Sequence, residues 1–189
     1  MTTTAAHPTS TPSTVAIFAG FLLASVAALA TVFVFQFGFG ILPCILCLWQ
    51  RLPHAIAILV AGVGVGVARS AERMRDPYRA APWGMFAALA VLLLVDHLAN
   101  VGLAAFHIGV EQHWWAGTEA CTGASGAGLS ADQLAAQLLG TPPARCDEIA
   151  WSLFGISLAG FNFLLSLTLA AAAAWATLRF NRARRGVRR

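Results

Sequence analysis

Four long apolar segments limit what this chain can fold into. They run over residues 15–37, about 44–68, about 83–106 and about 151–178. Crossing a hydrocarbon core about 30 Å thick takes roughly 20 apolar residues in a helix that rises about 1.5 Å per residue. Only 11% of the residues are charged and 58% are hydrophobic, whereas a soluble domain carries about 25% charged residues. The sequence therefore predicts an all-α membrane protein, an antiparallel bundle of four transmembrane helices.

The segments between and beyond the spans differ in length and character. A short connection covers residues 38–44, and a long polar loop covers residues 107–150. Residues 1–14 are rich in Thr and Pro and lack a basic n-region, which predicts a disordered start rather than a cleaved signal peptide. Residues 130–133 read Ser-Ala-Asp-Gln, a capping box. It predicts a short amphipathic helix in the long loop, lying on the membrane or against the protein.

Arginine placement predicts the orientation. All twelve basic residues are arginine, and ten of them lie in residues 69–79 or in the basic tail, residues 179–189. Four spans put both termini and the connection over residues 69–82 on one side, which should be cytoplasmic because basic residues collect there. Both remaining loops then face the non-cytoplasmic side, where disulfides persist. Since a basic tail beside a span sets orientation, we expect no nucleic-acid partner.

Two cysteines open the second apolar segment. Cys44 and Cys47 form a CxxC pattern, which at a helix start places the sulfurs one turn apart and favours the thiolate form. Arg51 follows Cys47 by four residues, so its cation should lie on the same helix face and stabilise a thiolate. Half of a zinc site or a static disulfide is the alternative interpretation of this pattern.

The other two cysteines lie in the long loop. Cys121 and Cys146 are not a CxxC pair, and a Gly- and Ala-rich stretch separates them. A disulfide between them could be a structural staple worth about 3 kcal/mol, or an exposed bond that takes part in exchange. Zinc would require both cysteine pairs to converge as four ligands.

The residues around these cysteines resemble a known family. The segment Pro43–Arg51, PCILCLWQR, is similar to the first periplasmic loop of the DsbB family of disulfide bond formation proteins. Residues 111–115, EQHWW, followed by Cys121, resemble the second loop of one branch of that family, and so do residues 146–162. The resemblance covers about residues 15–178. One departure is Trp49-Gln50 before the arginine, where the enterobacterial type has Tyr-Glu.

The resemblance implies a thiol–disulfide relay. Cys121 corresponds to the cysteine that forms a mixed disulfide with a periplasmic DsbA-type thiol oxidase. Cys146 corresponds to its partner, which is released and then exchanges with the first loop at Cys44. Cys47 corresponds to the cysteine that meets a quinone. Each step is the attack of a thiolate on a disulfide sulfur.

The implied cofactor is ubiquinone or menaquinone, with Arg51 beside Cys47 and His54 near the same site. The implied function is reoxidation of the DsbA-type oxidase in the bacterial inner membrane, in contact with lipid and quinone. Two alternatives stay open: a paralogue that serves a dedicated partner, and a non-enzymatic membrane protein with structural disulfides.

Polar residues within and beside the third span are further candidates. Asp96 and His97 lie inside that span, and intramembrane ionisable residues are functional suspects. They could deliver protons to the reduced quinone, or form a satisfied polar pair between helices. The segment 111–115 could form an interfacial belt or shape the loop.

Overall fold

The computed structural model describes residues 13–74, 82–118, 121 and 144–187. Helices dominate these residues: α1 (Thr14–Phe33), which continues into a π-helical turn (Val34–Gly38), α2 (Ile45–Trp49), α3 (Arg51–Arg73), α4 (Trp83–Glu111) and α5 (Leu158–Gly186). Four of the helical stretches are long and apolar enough to cross a membrane. The predicted all-α, four-helix membrane fold is confirmed. The expected amphipathic helix and residues 1–12 lie outside the described residues.

The bundle core is aromatic and closely packed. Helix α1 packs along α3, α4 packs along α5, and α3 contacts α4. The rings of Phe18, Phe86 and Phe180 lie with centroids 5.7–5.9 Å apart in this core. Helix α3 approaches α1 at Gly64, where a Cβ atom would lie 2.4 Å from the Phe18 ring. Glycine is therefore required here, as at many close crossings of membrane helices.

Local chemistry explains the helix ends near the cysteines. Cys44 is the N-cap of α2, and Ser157 is the N-cap of α5 and accepts a hydrogen bond from the Gly160 amide at 3.1 Å. Helices α2 and α3 meet at a turn at Gln50. Pro53 lies three residues further on, and a proline both lacks an amide proton and clashes with the carbonyl four residues before it. The interruption follows from that proline.

Two helix boundaries differ from the predicted spans. Helix α4 ends at Glu111, so residues 107–111, expected in the loop, are helical. Helix α5 begins at Leu158, because residues 151–157 are taken up by a hairpin instead. Its strands, β1 (Ser152–Leu153) and β2 (Ile156–Ser157), pair antiparallel. Phe154 and Gly155 join them with φ of 52° and 78°, the geometry of a tight hairpin turn with two positive φ values.

The bundle has two chemically distinct ends. Helix α5 has 29 residues and is about 44 Å long at 1.5 Å per residue, which exceeds a hydrocarbon core of about 30 Å. Its last turns carry arginines, as does the end of α3. At the other end, the start of α2, the end of α4 and the start of α5 meet. That end holds the cysteines.

Candidate active site

The first cysteine pair is built by the start of α2. Cys44 has extended backbone geometry, with φ of −75° and ψ of 172°, and its sulfur accepts a hydrogen bond from the Cys47 amide at 3.3 Å. The two sulfurs are 3.1 Å apart. A side chain that caps a helix and its N3 residue are neighbours in space. The CxxC spacing therefore sets this pair by local geometry alone.

The second pair meets the first. The Cys146 amide donates a hydrogen bond to the Cys121 carbonyl at 3.1 Å, and both side chains are fully buried. The Cys146 thiol interacts with the thiols of Cys121 and Cys44 and with the backbone of Leu46. The four cysteines thus form one cluster, in which Cys146 contacts both its own partner, Cys121, and Cys44 of the first pair. Thiols placed in this way can exchange disulfides without long movements.

Burial and neighbouring thiols keep two of these groups protonated. A hydrogen bond with Cys47, together with burial, raises the pKa of the Cys44 thiol to about 12, and His107 acts in the opposite direction. Burial, and then the hydrogen bond with Cys121, raises the pKa of the Cys146 thiol. Because only the thiolate attacks a disulfide, each group needs stabilisation of its charge at the moment of exchange.

A histidine that the sequence analysis did not single out lies against Cys44. The Nε2 atom of His107 is 3.5 Å from the Cys44 sulfur and 3.9 Å from a carboxylate oxygen of Glu111. The Ser157 hydroxyl donates to the other Glu111 oxygen at 2.5 Å. A His followed four residues later by a Glu shares a helix face. That spacing was the available signal, but residues 107–111 were expected to be loop.

A ladder of polar side chains crosses the bundle next to this cluster. The Asn162 side-chain amide donates to the Gln50 side-chain oxygen, Oε1, at 2.6 Å. The Asn162 side-chain oxygen lies 2.9 Å from His54 Nε2. Asn100 donates to Ser166 at 2.9 Å and to the Asn162 oxygen at 3.3 Å. Polar groups buried between membrane helices are stabilised by such mutual hydrogen bonds.

An apolar cavity of about 390 Å³ lies on the α1 side of the cysteine cluster. Its walls are mainly alanine, leucine and phenylalanine, and Phe35, Leu42 and Leu165 are among them. Its polar lining comes from six side chains: Thr31, Cys47, Gln50, Arg51, His54 and Asn162. The first cysteine pair is therefore the part of the cluster that borders this cavity.

Arg51 lines the same cavity as Cys47, but its hydrogen bond and its ring contact are made with the π-helical turn and with α1. Its Nη1 atom donates to the Gln36 side-chain oxygen at 2.7 Å, and its guanidinium lies 5.1 Å from the centre of the Phe33 ring. Its Nε atom and the Nδ1 atom of His54 are buried and have no hydrogen-bond partner among the described residues. Both atoms belong to cavity-lining side chains.

The remaining candidates have different surroundings. His97 is fully buried, with its ring centre 6.0 Å from Phe21 and 6.1 Å from His54. Within the described residues, neither of its nitrogens has a hydrogen-bond partner. One Asp96 carboxylate oxygen is likewise buried without a partner among the described residues. Of the two alternatives given for Asp96 and His97, the satisfied polar pair is therefore wrong. Trp115 stacks on Phe106 with centroids 6.1 Å apart.

A metal interpretation has one candidate set among the described residues. The ligand atoms of Cys44, Cys47 and His107 lie within 4.8 Å of one another. Soft sulfur and imidazole donors suit zinc. The same short distances also suit thiol exchange. Metal analysis of the purified protein distinguishes a zinc site from a thiol-exchange site.

The fold and this cluster are those expected of a multi-pass membrane thiol–disulfide oxidoreductase. Residues 14–176 match the family model of Disulfide bond formation protein DsbB. The chain belongs to the DsbB family, a bacterial membrane family with an oxidoreductase role in disulfide formation. It is also 24% identical over 147 residues to Uncharacterized protein RP370 of Rickettsia prowazekii (strain Madrid E), covering 77% of each chain. No solved structure matches the chain significantly.

Proposed function

We propose that this protein reoxidises a periplasmic DsbA-type thiol oxidase and passes the electrons to a membrane quinone. The observation that carries the proposal is the position of the four cysteines. They form one buried cluster, and Cys47 also borders the apolar cavity. A path for electrons from a soluble thiol to a lipid-soluble acceptor needs both features.

The thiol steps follow from the order of the sulfurs. A thiolate of the donor attacks Cys121, the bond between Cys121 and Cys146 breaks, and Cys146 leaves as a thiolate. Cys146, which interacts with Cys44, then attacks that sulfur. The bond between Cys44 and Cys47 breaks, and the electron pair leaves on Cys47. Each step exchanges one disulfide for another, so charge and electrons balance.

The cavity fits a quinone head group. Its apolar walls suit a ring and an isoprenoid chain. Arg51 Nε, which has no partner among the described residues, would donate to a ring oxygen. His54 Nε2 lies 2.9 Å from the Asn162 oxygen, which puts the ring proton there, so His54 Nδ1 would accept from a hydroxyl of the reduced quinone. A bound ubiquinone or menaquinone supplies a two-electron acceptor. Cys47 lies in the same wall. The Arg51 guanidinium is already fixed by Gln36, so it can stabilise negative charge there without reorganising.

The same arrangement supports an orientation in the bacterial inner membrane. The arginine-rich ends of α3 and α5 lie away from the cysteine end of the bundle. Because basic ends face the cytoplasm, we propose that both termini lie there and that the cysteines lie at the periplasmic face. Disulfide exchange with a periplasmic donor requires that placement.

Quinone reduction by the purified protein tests the proposal. In detergent, with a reduced DsbA-type protein as donor, the wild type should turn over, while Cys47→Ser and Cys121→Ser should not. All four cysteines belong to the relay, so the matched controls are reactions without donor or without quinone. Cysteines that stay oxidised whatever quinone is added would refute the function in favour of structural disulfides. Turnover with a different periplasmic thiol protein alone would identify a dedicated partner.

A further inference from the structure

A chain of hydrogen bonds joins the cavity wall to the Cys44 sulfur. It starts at His54, whose Nε2 atom lies 2.9 Å from the Asn162 oxygen. Asn162 donates to the Gln50 oxygen at 2.6 Å. The Gln50 amide nitrogen lies 2.7 Å from His107 Nδ1. His107 Nε2 completes the chain at 3.5 Å from Cys44.

The chain has a direction, which sets the tautomer of His107. The side-chain oxygen of Gln50 accepts from Asn162, so the side-chain nitrogen of Gln50 is the atom that faces the imidazole. An amide nitrogen can only donate. His107 Nδ1 therefore accepts, and the ring proton of the neutral imidazole is on Nε2. That nitrogen is the one that faces Cys44.

We propose that His107 is a catalytic hydrogen-bond donor to the Cys44 thiolate, and that Gln50 and Asn162 position it. The proposal rests on the proposed function and concerns the step that frees Cys44. The donor's second thiolate first attacks the donor sulfur bound to Cys121, which releases the oxidised donor and leaves Cys121 as a thiolate. The Cys121 thiolate then attacks Cys146 in the disulfide between Cys44 and Cys146. A bond between Cys121 and Cys146 forms, and the electron pair of the broken bond leaves on the Cys44 sulfur.

A donor is needed because that thiolate forms in a buried place. Cys44 is only 4% exposed, and an isolated buried charge is costly. Its thiol partners, Cys47 and Cys146, are themselves exchanging groups. The charged residues of the small cavity beside it are Glu111, Arg145 and Glu148.

None of those charged groups replaces His107. Arg145 is paired with Asp147 at 2.6 Å and with Glu148 at 3.2 Å, so its cation is already committed. Glu111 is an acceptor on the same side of the imidazole, 3.9 Å from its Nε2 atom. An acceptor there favours the tautomer that carries the proton on Nε2.

Alkylation of Cys44 tests the donor role directly. The background carries Cys47→Ser, Cys121→Ser and Cys146→Ser, so that iodoacetamide reports only the Cys44 thiolate as pH is varied. His107→Ala should slow alkylation about tenfold or more, because a hydrogen bond to a charged group is lost. His107→Gln, which can donate but cannot titrate, should stay within about threefold of the parent. The matched control, His113→Gln in the exposed loop, should change nothing.

Two results would overturn the proposal. Equal rates for His107→Ala and the parent would show that the histidine does not support the thiolate. A loss in His107→Gln as large as in His107→Ala would show that the imidazole acts as a proton acceptor instead. Because these rates need neither quinone nor a thiol donor, they are separate from the quinone-reduction test. Failure there would refute the proposed function without deciding the role of His107.

The tautomer gives a second test that does not depend on reactivity. Nitrogen-15 NMR of the four-cysteine protein in detergent, labelled at histidine, should find the His107 proton on Nε2. Gln50→Leu removes the donor to Nδ1 and should shift the population towards the other tautomer. A His107 proton on Nδ1 in the wild type would refute the proposed hydrogen-bond direction.

Discussion

Removing the Arg51 guanidinium should weaken the use of quinone far more than the exchange of thiols. Its hydrogen bond to Gln36, at 2.7 Å, and its position 5.1 Å from the Phe33 ring centre fix it beside the cavity before any ligand arrives. Its Nε atom is buried without a partner among the described residues. A group held in place in this way loses little freedom on binding, so most of its interaction energy appears as affinity.

The size of the effect follows from one charged hydrogen bond. Such a bond is worth about 1.5–3 kcal/mol, and each 1.4 kcal/mol is about tenfold. Arg51→Gln should therefore lower kcat/KM for quinone by about 10- to 150-fold. Arg51→Lys should not restore it, because an ammonium cannot keep the bond to Gln36 and present a second fixed donor to the cavity.

Steady-state quinone reduction at varied short-chain quinone, with a reduced DsbA-type donor in excess, measures this change. The control is Arg179→Gln, since Arg179 lies on α5 and packs on Trp175 with a guanidinium-to-ring distance of 5.5 Å. A single turnover of thiol exchange without quinone should be the same in both variants. If Arg51→Gln stays within about twofold of the wild type in kcat/KM for quinone, the assignment of this hydrogen bond is refuted.

Two further predictions concern packing and pH. Gly64→Ala places a Cβ atom 2.4 Å from the Phe18 ring and should lower stability by about 1–3 kcal/mol. Gly62→Ala is the control and should leave stability unchanged, because a Cβ atom there would meet no atom within 4 Å. Equal thermal unfolding temperatures of the two variants in detergent would contradict this prediction. The hydrogen bond with Cys47 is the largest of the causes that raise the pKa of the Cys44 thiol to about 12. Cys47→Ala should therefore lower that pKa. Alkylation of Cys44 near pH 8, with the second pair removed, should then be faster; an unchanged pH profile would count against the hydrogen bond.

Some of the site follows from local sequence alone. The CxxC spacing places Cys44 at an N-cap and Cys47 three residues on, and the structure keeps that arrangement because helix capping is a local property. The four spans follow from apolar runs. The boundary of the fourth was harder to predict, because the positive φ at Phe154 has no signal in an apolar residue. The next residue, Gly155, was the only hint of a turn.

The sequence by itself determined the membrane class, the four spans and the Cys44–Cys47 pair, because each depends on residues close together in the chain. Only the tertiary structure brought His107 to Cys44 across 63 positions and Asn162 to Gln50 across 112. It also decided that the two pairs share one cluster beside an apolar cavity. Directional hydrogen bonds between helices depend on how those helices pack, and a single sequence carries no local signal for that.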